Sequence, residues 1–294
     1  MRQNYHAATR KIRKKSKYSH VCMVNFWLQV VSSYQWFWAM CMTEIAIIGC
    51  GFVADLYMRS FASFPNQRIT AVFDTNATRL TQFCSYWSLQ ATESQAILLE
   101  RLPKGSLVLN LTNPKFHSAV NRAILQAGHH AYSEKPLALE MKDARELSDL
   151  ARQSGLHLAS APCSVLGEAA QTLAKAARDG RAGDIRLIYA ELDDGYISQA
   201  PFKDWKSESG APWPFEDEFQ VGCTLEHAGY YLSWLIAMFG PVSDVVAASA
   251  ETIPDKPGAC GTADFSVATL FFKHGGPPVR LTCSITAPHD HRIR

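Results

Sequence analysis

Gly49-Cys50-Gly51-Phe52-Val53-Ala54 follows the isoleucine-rich run Glu44-Ile45-Ala46-Ile47-Ile48, and Asp74 closes a second apolar run, Ile69-Thr70-Ala71-Val72-Phe73. This is the order of a dinucleotide-binding βαβ unit. The first glycine permits a tight turn, the second lets backbone approach a pyrophosphate, and the small third residue lets helix pack on strand. A helix opening at Phe52 would aim free N–H groups and the positive end of its dipole at phosphates. Gly49, Cys50, Gly51, Phe52 and Val53 are therefore the expected cofactor loop. Asp74 is the expected acceptor for adenosine ribose hydroxyls, and its charge repels a 2′-phosphate. Thr75-Asn76 adds no arginine beside it, although Arg79, one turn on, can swing toward such a phosphate. NAD is thus expected ahead of NADP. The competing reading is a glycine-rich turn in an unrelated α/β protein.

The elements that must carry these residues follow from the pattern. Residues 52–62 have helical spacing and stop before Pro65-Asn66, and Thr75-Asn76 offers an N-cap to the next helix. Leu107-Val108-Leu109-Asn110-Leu111 is a continuous apolar run, as expected of a strand covered on both faces. A helix then ends at Ala127-Gly128, a further helix spans 141–153, and 156–159 forms one more strand. This alternation predicts a doubly wound parallel sheet over 43–160. Beyond residue 160 the texture changes. A helix is expected over 168–178, then a strand over 185–192 and an irregular stretch over 193–221 rich in Trp, Pro, Phe and acids. An apolar helix over 225–239 precedes strands at 242–250, 266–273 and 279–287 of an antiparallel sheet. The second domain is expected to span 161–294.

The 294 residues are 47% apolar and 19% charged, within the range of a folded two-domain chain. Residues 1–42 hold seven basic residues and no acid, leaving 22 basic against 27 acidic residues in the remainder, a balance that gives no reason to expect nucleic-acid binding. The uncharged run 21–42 after a basic cluster has the outline of a signal anchor, but Asn25, Gln29, Ser32, Ser33 and Gln35 interrupt it. Residues 1–42 read as an N-terminal extension outside the fold, with Met42 as the start, and no membrane association is expected. The eight cysteines lack C-x-x-C or zinc spacing and read as buried free thiols of a reducing, cytoplasmic compartment. No metal is expected, His289 and His291 being unconvincing as ligands.

These motifs together resemble the glucose-fructose oxidoreductase and inositol dehydrogenase family (Gfo/Idh/MocA). The resemblance rests on the Gly49–Ala54 turn, Asp74, Thr112 with His117 five residues later, Ala127-Gly128-His129 running into Glu134-Lys135-Pro136, and the 222–240 helix. It implies an N-terminal Rossmann domain and a C-terminal α+β domain with an open, mostly antiparallel sheet. It also implies an NAD- or NADP-dependent oxidoreductase acting on a hydroxyl or carbonyl of a sugar, polyol or related small molecule. A cofactor- or sugar-sensing regulatory member, or an inactive shortened relative, is the alternative. Relatives usually continue past the point where this chain stops. A homo-oligomer, dimer or tetramer, is expected if the C-terminal sheet is complete.

Lys135 is the expected catalytic residue, because hydride transfer at a carbinol needs a proton moved and charge stabilised at its oxygen. A lysine at the carboxyl end of a sheet strand stands at the crevice where nicotinamide lies, and Pro136 restricts its backbone. Glu134 either holds the lysine or contacts the cofactor. By the resemblance Thr112, Asn113 and His117 approach the cofactor's ribose or nicotinamide, with a helix-capping or packing role the alternative for His117. Many relatives carry an Asp and, four residues on, a His near the substrate. Here the corresponding residues read as His227 and Tyr231, a tyrosine standing at the second position in the glucose-fructose oxidoreductase and dihydrodiol dehydrogenase branches. The i, i+4 spacing puts both on one helix face; the competing readings are a core aromatic with its hydroxyl satisfied for Tyr231 and a buried structural histidine for His227. Glu226 and Tyr230, one residue earlier, have the same spacing. The 205–219 segment is a candidate substrate-covering loop.

Overall fold

In a computed structural model, residues 43–254, 256–257 and 261–287 and the backbone of 292–293 are described. The expectations for the 1–42 extension, and for His289 and His291, fall outside these residues. Residues 43–294 form one compact unit built on two five-stranded sheets.

The first sheet contains β1 (Thr43–Ile48), β2 (Gln67–Phe73), β3 (Leu107–Asn110), β4 (His130–Ser133) and β5 (Leu158–Ser160) in the order β2-β1-β3-β4-β5, every pairing parallel. Helices α1 (Ala54–Phe61), α2 (Ala77–Trp87), α3 (Gln95–Arg101), α4 (His117–Gln126) and α5 (Met141–Ser154) connect the strands. Strand β1 shows why its sequence is nearly all apolar. Ile45 and Ile47 pack with Val72, Phe83 and Leu109 on one face, while Ala46 and Ile48 pack with Leu98, Ile124 and Leu147 on the other. Covered on both faces, such a strand cannot alternate apolar with polar residues. The chain leaves β1 for β2 on one side and returns to β3 on the other, so a crevice opens at the carboxyl ends of β1 and β3. The Asn76 side chain caps α2 by accepting the Arg79 N–H at 3.0 Å, as its sequence position predicts.

The second sheet has the order β10-β6-β9-β8-β7, from β6 (Ile188–Gly195), β7 (Val242–Ala250), β8 (Phe265–Phe272), β9 (Val279–Ala287) and β10 (Arg292–Ile293). It is mixed rather than purely antiparallel: β6 and β9 run parallel, and the other pairings are antiparallel. Strand β6 also lies three residues later than its apolar pattern suggests, since Leu187 is exposed and Asp193 pairs with Ser284 of β9. Helices α6 (Glu168–Arg178), α7 (Phe215–Val221) and α8 (Cys223–Phe239) complete this part. Helix α8 buries Cys223, Tyr231 and Leu235 against Ala190, Leu192, Leu281 and Cys283 of the sheet. The opposite sheet face and the β7 edge are exposed, with Tyr189 and Val246 turned outward. Cys50, Cys84, Cys223 and Cys283 are buried thiols as expected; Cys163 is exposed. Among the described residues no helix is long and apolar enough to cross a membrane.

Candidate active site

Two glycines of the turn are required for different reasons. Gly49 has φ +101°, and a Cβ there would lie 2.6 Å from the Leu111 carbonyl carbon and 2.7 Å from the Thr112 nitrogen. The turn can lie against the end of β3 only without a side chain at this position. A Cβ on Gly51 would meet nothing nearer than the Arg79 guanidinium at 3.9 Å. That open space is what a ligand backbone-to-phosphate approach needs. Helix α1 starts at Ala54 rather than Phe52, because residues 51–53 form a turn closed by the Ala54 N–H on the Gly51 carbonyl at 3.1 Å. Val53 brings no capping side chain, so the first N–H groups of α1 are not claimed by one. The Cys50 side chain is buried in the core, and burial, followed by the Asp74 charge, pushes its thiol pKa up.

Asp74 closes β2 beside the turn. Its Oδ2 accepts the Cys50 N–H at 2.7 Å and its Oδ1 accepts the Asn76 N–H at 2.7 Å. A carboxylate has about four acceptor positions, so two remain for ribose hydroxyls. Arg79 Nε stands 3.9 Å from Asp74 Oδ2. The open space at Gly51, the uncapped start of α1 and the partly used carboxylate of Asp74 together fit a dinucleotide.

A cleft of about 710 Å³ extends from Gly51, Phe52 and Val53 past Thr112 and Asn113 to Glu134, Lys135 and the first turns of α8. Thr112 is fixed by its hydroxyl, which donates to Asn110 Oδ1 at 2.6 Å. The Asn113 amide and the Lys115 ammonium, at 2.7 Å, both engage Asp217 of α7. Glu134 accepts from the Tyr57 hydroxyl at 2.6 Å and from the Lys135 N–H at 2.9 Å, so it orients the loop that presents the lysine. The Lys135 ammonium contacts Glu226 and lies 3.6 Å from Glu218. Burial alone would lower the lysine pKa, but the Glu218 and Glu226 carboxylates outweigh it and hold Lys135 above its ordinary range. Burial, then the charge of Glu218, push Glu226 up to about 9, against the opposing pull of Lys135. Lys135 therefore keeps its charge, and Glu226 shares a buried hydrogen bond with it inside the cleft.

His117 stands apart from the cleft. It is fully buried, with Nδ1 2.6 Å from the Pro136 carbonyl and Nε2 2.7 Å from the Thr112 carbonyl. It ties together the two loops that carry Thr112 and Lys135, which is a packing position rather than one that meets a cofactor. On α8, His227 lines the cleft with Nε2 3.0 Å from Asp194 Oδ2. Tyr231 does not join it. Its hydroxyl donates to the Glu191 carbonyl at 2.9 Å, and its ring lies in the core between α8 and the second sheet. Tyr230 is the tyrosine in the cleft wall, with Glu226 one turn before it. Burial raises the Tyr230 pKa in spite of Lys135, so the phenol is neutral. The Asp-to-His spacing sought at 227 and 231 is thus met at the cleft by 226 and 230.

The 205–219 segment contributes Trp205, Trp213, Pro214, Glu218 and Phe219 to the cleft wall. It is fastened to the first sheet's side at Asp55, whose Oδ2 accepts the Ser209 N–H at 3.0 Å and hydroxyl at 2.9 Å. Burial works against the ionised Asp55, yet hydrogen bonds from Ser207, Trp87 and Ser209 hold its pKa below the ordinary value. A second hollow of about 770 Å³ lies between the ends of α6 and α8, and no residue of the glycine turn lines it. Asp194, Glu226, Tyr230 and Tyr57 are cleft or supporting residues to which the sequence pattern assigned no role, and Glu218 entered only as part of the 205–219 segment. Only Glu226 and Tyr230 left a signal, their i, i+4 spacing.

Comparison with known proteins agrees with this architecture. Residues 43–161 match the family described as "Oxidoreductase family, NAD-binding Rossmann fold", and residues 170–294 match the "GFO/IDH/MocA C-terminal domain". A Streptomyces violaceoruber dTDP-3,4-didehydro-2,6-dideoxy-alpha-D-glucose 3-reductase is 30% identical over 51% of this chain and 44% of its own length. Mouse trans-1,2-dihydrobenzene-1,2-diol dehydrogenase is 24% identical over 82% of this chain and 68% of its own. The matched region therefore spans less than half of the first relative and about two thirds of the second. Among solved structures, the Bordetella pertussis WlbA dehydrogenase in complex with NADH and UDP-GlcNAcA has the same fold, with a TM-score of 0.70 at 19% identity, covering 85% of this chain and 69% of that one. With both halves matched, the chain belongs to the GFO/IDH/MocA oxidoreductase family and carries its NAD-binding Rossmann fold.

Proposed function

We propose that the protein is an NAD(P)-dependent dehydrogenase or reductase that interconverts a hydroxyl and a carbonyl on a sugar, polyol or related small molecule. The observation that carries this reading is Lys135, held as a cation by Glu218 and Glu226 in the same cleft as the glycine turn and Tyr230. Gly49, Gly51 and the start of α1 would hold the dinucleotide's pyrophosphate, and its nicotinamide would supply the hydride acceptor or donor. Lys135 stabilises negative charge as it develops on the substrate oxygen. Tyr230, a neutral phenol, gives a proton to that oxygen in the reductive direction and takes one back in the oxidative direction. The role first sought at Tyr231 passes to Tyr230. The catalytic pair is thus Lys135 and Tyr230, with Glu134 and Glu226 positioning the lysine. The names of the sugar and diol dehydrogenases similar to this chain support the substrate class.

NAD is favoured over NADP by the charge of Asp74, with Arg79 as the residue that would receive a 2′-phosphate. Self-association through the exposed face of the second sheet, where Tyr189 and Val246 are turned outward, is part of the same proposal. Lys135→Met tests the catalytic assignment. Turnover of a polyol and sugar panel should fall by about two to four orders of magnitude, while NADH binding, followed by fluorescence, stays within about twofold. Undiminished turnover in the variant would defeat the assignment.

A further inference from the structure

Asp55 lies in the first turn of α1, beside the glycine turn, and the proton chemistry at Lys135 does not use it. Its side chain is buried. Oδ1 accepts the Trp87 indole N–H at 2.5 Å, and Oδ2 accepts the N–H and hydroxyl of Ser209 at 3.0 and 2.9 Å. Glu208, the neighbouring residue, contacts the Arg59 guanidinium of α1 and lies 3.5 Å from the Tyr86 hydroxyl of α2. Ser209 and Glu208 stand at the tip of a small hairpin over residues 205–213. It is closed by the Ser207 N–H on the Ala211 carbonyl at 2.9 Å and the Trp213 N–H on the Trp205 carbonyl at 3.0 Å.

The two ends of this hairpin are held by different forces. At its base the rings of Trp205 and Trp213 pack 5.2 Å apart, and Trp213 meets Phe202 and Phe219 at 6.0 Å. Parting these rings would return a large aromatic surface to water. The tip meets α1 and α2 through hydrogen bonds and an ion pair, which water can replace at small net cost. When the tip lifts, Asp55 keeps the Trp87 N–H, so its buried carboxylate is not stranded without a partner. Phe52, Val53 and Leu56 of the turn and α1 share the cleft wall with Trp205, Trp213 and Pro214 of the hairpin and its base. A cleft of about 710 Å³ is of the size that encloses most of a ligand's surface. Some wall must therefore give way when a long ligand enters or leaves. The hairpin is the wall whose far attachment is polar and exchangeable.

Resting on the dinucleotide assignment above, we propose that the 205–213 hairpin is a clasp. Its tip leaves Asp55 to admit or release the nicotinamide dinucleotide and returns to close the cleft. Ser209 and Glu208 then set the rate of cofactor exchange without touching the reacting atoms.

Stopped-flow fluorescence of NADH with the full chain tests this, comparing the parent with the double variant Glu208→Gln/Ser209→Ala. Losing the ion pair and the hydroxyl favours the open clasp, so NADH association and dissociation should both quicken by about tenfold or more, the factor that one hydrogen bond to a charged group is worth. An equal shift in the free and the loaded chain leaves the equilibrium affinity within about threefold. Ser209→Thr, which keeps hydroxyl and amide, should retain the parent rates. A hairpin that only supports the fold would instead lower the melting temperature or the affinity and leave association no faster, which overturns the proposal. Should the double variant not fold, Ser209→Ala alone should move both rates in the same direction, and unchanged rates there overturn it equally. If NADH does not bind the parent chain, the dinucleotide assignment falls, and amide hydrogen exchange over residues 205–213 decides the clasp by itself. Exchange about tenfold or more faster in the variant supports the opening motion, and unchanged exchange refutes it.

Discussion

Gly49 and Gly51 stand two residues apart in one turn, yet alanine should fail at each for a different reason. At residue 49 the backbone is left-handed, at φ +101°, and the added methyl carbon would sit 2.6–2.7 Å from three backbone atoms of Leu111 and Thr112. Positive φ costs a non-glycine residue about 1–2 kcal/mol. Overpacking against atoms that cannot swing aside costs about 1–3 kcal/mol more. Leu111 is held by its N–H on the Ile48 carbonyl at 2.8 Å, so relief by movement would break the β1–β3 junction. Gly49→Ala should therefore lose about 2–5 kcal/mol, a large share of the ~5–15 kcal/mol typical of a folded chain. At Gly51 φ is not left-handed and the nearest atom is 3.9 Å away. Gly51→Ala should change stability by less than about 0.5 kcal/mol and weaken NADH binding by about tenfold or more, because the methyl occupies the phosphate's approach. Chemical denaturation without cofactor, paired with NADH fluorescence titration, separates the two. A Gly49→Ala chain as stable as the parent, or a Gly51→Ala chain that binds NADH undiminished, would refute the reasoning.

Glu226, pushed up to about 9, keeps its proton in the folded chain where an unfolded carboxyl has lost it. Its contribution to stability is full below the ordinary carboxylate range and is lost as pH rises through about 9. Denaturation midpoints should fall from about pH 6 to about pH 9 in the parent and fall less in Glu226→Gln; an unchanged slope in the variant argues against the protonated carboxyl. The two tyrosines of α8 should separate cleanly. Tyr230→Phe should cut turnover by about two orders of magnitude or more with little change in melting. Tyr231→Phe should cost about 1 kcal/mol of stability, through the lost bond to the Glu191 carbonyl, and leave turnover intact. The reverse pattern would return the catalytic role to Tyr231.

The first sheet was legible because each signal was local. The turn, the acid after the second strand, and Glu134-Lys135-Pro136 at the end of β4 each sit within a few residues of the strand that positions them. The partners of Lys135 were not legible in that way. Glu226 is 91 residues away in sequence, and Asp217 reaches Asn113 across 104 residues. The 205–219 segment read as a candidate covering loop, but no periodicity marks which of its acids face inward. Only the packing of α7 against the loop after β3 turns them into ligands of Asn113, Lys115 and Lys135. The parallel pairing of β6 with β9 was equally hidden, since apolar alternation reports which face is buried and is silent on strand direction.

The one-residue ambiguity on α8 has its own physical cause. Amphipathic periodicity locates a helix face only when the opposite face meets water. Here one side of α8 packs on the second sheet through Cys223, Tyr231 and Leu235, while Glu226, His227 and Tyr230 line a cleft whose walls are largely apolar. Leu225 and Ile236 are apolar yet exposed on the same helix, so apolar spacing marks no single buried face and fits 226/230 as well as 227/231. The buried acid breaks the tie. A carboxyl that is 6% exposed must have a partner, and the cation that meets it is Lys135. Fixing Glu226 on the lysine side puts Tyr230, one turn later, on that side too. It leaves Tyr231, about 100° further round the helix, directed at the sheet. The position of the charged residue therefore decides which aromatic can act on a substrate, and the aromatics by themselves do not.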